Sequence, residues 1–180
     1  MTHLPQGAVW FVSAILVEAA VIDGWKLRVP NWLTLHMMAG GLAFAALSGG
    51  LLAALWAIAG AALGLALLMP LYAIGGMGAG DVKLLAGVGA WMGPAVTLGA
   101  FVVAALVGGL IALAMIVRSG AYVQHLDLLR SIGHEIISVR DPVKLSESAA
   151  LRKPAMMLLP YGIPIAIGSI AYFAWLGILF

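Results

Sequence analysis

Seven acidic residues occur in the 180-residue chain, and they fall into two groups. Asp127, Glu135, Asp141 and Glu147 share a polar stretch after residue 118, where the plain reading is a solvated, mixed-charge surface. Glu18, Asp23 and Asp81 instead lie inside or at the ends of long apolar runs. Ionisable groups at membrane depth are costly, and by default they mark function. Asp23 stands in VIDGWKLRVPN and Asp81 in GGMGAGDVKLL, 58 positions later. Two carboxylates that meet across a helix bundle cannot both ionise easily: one holds a proton and the other is a base. Such a pair can activate a water and protonate a leaving amine, which is aspartyl-protease chemistry. Plainer roles are open for both: Asp23 as a turn residue beside Gly24, and Asp81 as the N-cap of a following helix.

Other candidates are weaker. Glu18 precedes Asp23 by five residues, roughly 140° around the same helix, and could be an accessory carboxylate, a proton-shuttling neighbour or an interhelical hydrogen-bonder. Lys83 follows Asp81 by two and would either snorkel to headgroups or bias the charge of the site. His36 reads as a satisfied polar contact within the bundle. No metal site is expected, since the four histidines lie in separate segments, HExxH is absent and there is no cysteine. A serine nucleophile is also unsupported, as no GxSxG occurs.

The elements that must position these residues are membrane helices. With 64% hydrophobic and only 9% charged residues, most of the chain needs a bilayer as its solvent. Apolar stretches cover about 7–22, 32–48, 51–74, 82–117 and 157–180. A crossing takes ~20 residues, so the run after Lys83 is read as two helices broken at Gly93-Pro94. Ser48-Gly49-Gly50 likewise separates the second and third helices. The sequence thus predicts an all-α, polytopic membrane protein with six transmembrane helices, forming one integral-membrane domain over 1–180. The start MTHLPQ lacks the basic n-region of a signal peptide.

All nine Lys and Arg then fall on one side, in the connections 23–31, 75–81 with Lys83, and 118–156. By the positive-inside rule that side is cytoplasmic, and both termini lie outside. The cytoplasmic loop 118–156 includes AYVQHLDLLRSIGHEIISVR, whose apolar residues recur at helical spacing and predict an amphipathic interfacial helix. A fourth helix running from Val82 to the Gly-Pro break would rise only ~17 Å, about half a membrane. Either the turn lies later, or GGMGAGD begins below the membrane surface, where irregular backbone must pack in protein or line a wet cavity.

GAGDVKLL at 78–85 resembles the GxGD motif of the type IV prepilin peptidases, a family of intramembrane aspartyl proteases. Asp23 followed by Arg28-Val29-Pro30-Asn31 resembles that family's first aspartate with its downstream R-[IV]-P-N. Pro160-Tyr161-Gly162-Ile163-Pro164 resembles its proline-glycine element opening the last helix. The resemblance implies a peptidase of the bacterial inner membrane that removes the basic leader of a prepilin at the cytoplasmic boundary, just before the prepilin's single membrane helix. It makes Asp23 and Asp81 the catalytic pair, with Gly78, Gly80, Lys83, Pro30, Asn31, Pro160 and Gly162 shaping the site. Cofactors are not required, and the partners are prepilin and membrane lipid, with no nucleic acid. Larger members carry CxxC pairs associated with N-methylation; cysteine is absent here and only about six residues precede the first helix, so methyltransferase activity is not expected. The chain looks closer to the short branch serving Flp (tight-adherence) pili.

Two other function classes fit the carboxylates less well. A proton- or ion-coupled transporter could use Asp23, Asp81 and Glu18 as a relay, but no internal repeat is visible. A structural subunit of a secretion machine would leave both aspartates without a role.

Overall fold

In lipid every backbone N–H and C=O must be satisfied within its own segment, so uninterrupted apolar runs become helices. The computed structural model describes residues 5–73, 75–119 and 160–180, and these contain helices and no strand. The helices are α1 (Gln6–Lys26), α2 (Asn31–Ala73), α3 (Ala79–Ser119) and α4 (Gly162–Trp175). The first three are long and apolar enough to cross a membrane, while α4 is shorter at 14 residues. Most of the predicted loop 118–156, with its amphipathic helix, lies outside the described residues.

Both long helices are broken where glycine takes a conformation that other residues avoid. Gly50 has φ 65° and ψ −157°, and Gly93 has φ 74° and ψ 174°. Pro94, which suits the first position of a helix, restarts α3 after its break. The packing shows that each break is a reversal. Gly41 and Gly60 would be ~28 Å apart on a straight helix, yet both press on the stretch 89–91. A Cβ on Gly41 would sit 2.8 Å from the Ala90 carbonyl carbon, and one on Gly60 would overlap the Gly89 carbonyl. In α3, Asp81 lies within electrostatic reach of Tyr161, while a Cβ on Gly108 would come 3.4 Å from Pro164. Those α3 positions would be ~40 Å apart on a straight rod.

Among the described residues the breaks leave six rods: α1, the limbs 31–49 and 51–73 of α2, the limbs 79–92 and 94–119 of α3, and α4. The limb 79–92 is central, with residues 84–90 all buried. The outer α2 limb meets it through Gly60 on Gly89 and Gly64 on Leu85 and Ala86. The second limb of α3 faces α4 through Gly99 on Tyr172 and Ala104 on Gly168. Without a hydrophobic force between helices in lipid, such small residues hold the bundle by letting backbones approach. Trp91 ties the far end together, donating to the Met37 carbonyl at 2.8 Å and stacking on Phe44 at 5.3 Å.

Two details differ from the sequence reading. The last helix ends at Trp175 rather than running to residue 180, because Gly177 (φ 68°) takes a left-handed turn. Gly177 N–H then bonds to the Ala174 carbonyl and Ile178 N–H to the Phe173 carbonyl, the paired bonds of a Schellman motif. His36 does not point into the bundle: it is exposed and its Nδ1 pairs with the Trp32 carbonyl of its own helix at 2.6 Å.

Candidate active site

The antiparallel order brings the end of α1, the start of α3 and the start of α4 to one end of the bundle. Asp23 sits in the last turn of α1 and is only 2% exposed. A carboxylate there opposes the helix dipole, so α1 itself gains nothing from it. Its partner comes from far along the chain: Gly162 N–H, at the start of α4, donates to Asp23 Oδ2 at 2.7 Å. Tyr161 supplies no side-chain cap to α4, so Asp23 satisfies one of that helix's orphan donors from across the bundle. Only glycine permits this, since a Cβ at Gly162 would stand 2.9 Å from Oδ2 and 3.0 Å from the Asp23 Cβ.

Asp81 is the third residue of α3 and 5% exposed, so it is not the N-cap that a cap reading of the sequence suggests. Its Oδ2 reaches back to accept from Gly78 N–H at 3.1 Å, as the third residue of a capping box does. Its Oδ1 is buried and has no hydrogen-bond partner among the described residues. The two aspartates lie close enough for the charge of one to act on the other. Each therefore has one oxygen tethered to a backbone N–H, and Asp81 has its second oxygen uncommitted.

The glycines and the RVPN segment set this arrangement. A Cβ on Gly80 would overlap the Val29 carbonyl, so the first turn of α3 lies directly on the loop leaving α1. A Cβ on Gly78 would be 3.3 Å from Asp81 Oδ2. Lys83 Nζ donates to Asn31 Oδ1 at 2.9 Å, pinning the start of α2 to α3. Pro30 precedes α2, and its carbonyl accepts from Thr34 N–H at 3.4 Å. Pro160 similarly accepts from Ile163 N–H at 3.2 Å in the first turn of α4. The loop is reached through Leu27, which takes left-handed geometry (φ 51°) to end α1.

Glu18 is not brought to this pair. It is exposed on the outer face of α1. Tyr161, which sequence reasoning did not single out, is at the site: it is half-buried, adjoins Gly162, which bonds to Asp23, and lies within electrostatic reach of Asp81. Its position between Pro160 and Gly162 was the available signal. Among the described residues no three His, Asp or Glu side chains gather as a metal-binding group.

A family model described as the type IV leader peptidase family matches residues 10–113, more than half of the chain. That span takes in Asp23, Pro30, Asn31, Gly78, Gly80, Asp81 and Lys83 but ends before Gly162. No curated protein and no solved structure matches the chain. The match gives no support to a transporter, and the chain belongs to the type IV leader peptidase family.

Proposed function

We propose that the chain is an intramembrane aspartyl endopeptidase in which Asp23 and Asp81 cleave the leader from a prepilin. Family membership carries the leader-peptidase role in general terms. The aspartyl mechanism rests on one observation above the others: two buried carboxylates from distant segments lie at one end of the bundle within electrostatic reach of each other, each held by a backbone N–H. Such a pair shares a proton. The ionised member takes a proton from water as the water oxygen bonds to the scissile carbonyl carbon, and the protonated member gives its proton to the carbonyl oxygen. On collapse, the carboxyl that took the water proton passes it to the leaving nitrogen. The other recovers a proton from the gem-diol, the C–N bond breaks, and the pair regains its single proton. Asp81 Oδ1 is the oxygen free to meet the water.

The six rods are read as six crossings, with both termini outside and the aspartates at the cytoplasmic face of a bacterial inner membrane. The clustering of all nine basic residues on that side supports this reading. The limb 79–92 rises only ~21 Å, so the non-helical turn 75–78 that leads into it is read as lying below the membrane surface. The absence of cysteine favours the short, Flp-type branch and peptidase activity without methylation. Incubating the purified chain with a prepilin in detergent tests the proposal: leader loss is expected from the native chain, and from neither Asp23→Asn nor Asp81→Asn. Cleavage at the native rate by either variant would sink the dyad assignment.

A further inference from the structure

A leader peptidase of this kind must seat the substrate's membrane helix so that the leader junction reaches the carboxylates. An apolar groove of about 890 Å³ runs along the outside of the bundle between α1 and α4. Val17, Val21 and Gly24 line one wall, and Ile163, Ile167 and Ala171 the other. Val17, Val21 and Ile167 are each about half exposed, so the groove opens sideways. Between Gly24 and Val17 it extends ~10 Å, two helical turns. Its inner end is at the site: Gly24 and Ile163, which face each other there, directly follow Asp23 and Gly162, the bonded pair.

A second observation bears on what fills it. Glu18 adjoins Val17, stands one turn from Val21, and is exposed with no partner among the described residues. It lies ~12 Å along α1 from Lys26, well inside the apolar stretch. An ionisable side chain at such depth normally faces protein or a wet cavity, because exposure to lipid tails costs several kcal/mol. An acyl chain would fill the groove but leave this carboxyl unanswered. A peptide helix can do both.

We propose that the α1/α4 groove seats the substrate's transmembrane helix and that Glu18, at its rim, accepts from a hydrogen-bond donor on that helix; this rests on the leader-peptidase reading. Glu18 lies ~7.5 Å along α1 from Asp23, on the side away from Lys26. The donor therefore belongs to the first two turns of the mature pilin helix, beyond the cut. The groove sets where the substrate enters, and the carboxylates set where it is cut.

The test uses the full chain carrying Asp81→Asn, reconstituted in vesicles with a prepilin, with a photocrosslinking residue at Val21, Ile167 or Met69. Met69 is 46% exposed near the same end of α2 and serves as the depth-matched control. Prepilin adducts are expected from Val21 and Ile167 and not from Met69. Adducts at the groove to lipid only, to a second copy, or to another segment of the same chain would overturn the proposal, as would prepilin adducts from Met69 alone. Cleavage by the native chain in the same vesicles separates the two readings, because native cleavage with silent groove positions refutes the groove alone. Glu18→Leu should raise KM for prepilin about fivefold at nearly constant kcat, while Glu18→Gln, which keeps an acceptor, stays within about twofold. Equal KM for the two variants would remove Glu18 from the seat.

Discussion

Gly162→Ala tests how finely the site is held. The new methyl would stand 2.9 Å from Asp23 Oδ2, 3.0 Å from its Cβ and 3.2 Å from its Cγ. Carbon atoms in good contact sit ~3.5–4.0 Å apart, so the whole Asp23 side chain, and not just its tip, must retreat by about half an ångström. That movement also stretches the 2.7 Å bond from Gly162 N–H, which positions Oδ2. A 1 Å misplacement at a reacting group costs about a hundredfold in rate, so a loss of about ten- to a hundredfold in kcat is expected, or ~1.4–2.7 kcal/mol of barrier. Steady-state prepilin cleavage in vesicles would measure kcat and KM, with thermal unfolding read alongside. Two other α4 seam variants act as controls. Gly168→Ala overlaps the Ala104 backbone away from the carboxylates, and should lower the melting temperature with little change in kcat of the folded fraction. Gly108→Ala meets Pro164 at an ordinary 3.4 Å and should be neutral, or gain about 0.5–1 kcal/mol from helix propensity. A folded Gly162→Ala chain with native kcat would refute the claim that Gly162 positions Asp23.

The remaining predictions concern the frame around the pair. Lys83→Met and Asn31→Ala should each cost no more than about 1 kcal/mol of stability, because their hydrogen bond is exposed. A double-mutant cycle should show coupling of about 0.5–1 kcal/mol between them, and additive losses would mean the bond does not pin α2 to α3. Leu27→Gly relieves a left-handed conformation and should stabilise by about 1 kcal/mol in a denaturant titration, whereas a destabilised variant would place Leu27's value in its side chain.

Much of this was legible in the residues themselves. Asp23 and Asp81 stood out because charge is rare in such apolar surroundings, and Gly49-Gly50 and Gly93-Pro94 announced the two reversals by chain chemistry alone. Orientation was harder to read. The helices are apolar nearly all round, so periodicity cannot say which face turns inward. That is why the sequence predicts an interior contact for His36 although the residue lies outside, and why it leaves Glu18 unplaced. The tether on Asp23 comes from a backbone N–H 139 residues away, and no side-chain type advertises it. Asp81 was readable as a helix-start residue, but its reach back to Gly78 from the third position depends on where α3 begins, a boundary set by Gly80 lying on Val29. Tyr161 is hard to pick out because its neighbours Pro160 and Gly162 carry the more conspicuous backbone signals.

The central claim is that Asp23 and Asp81 act as one unit on one water. Single-turnover leader release by Asp23→Asn, Asp81→Asn and the double variant, each checked for native thermal stability, measures this directly. Each single variant should lose at least about a hundredfold, since each removes an acid–base partner, and the double variant should be no slower than the worse single one. Independent, multiplying losses, or native release by either single variant, would contradict the account.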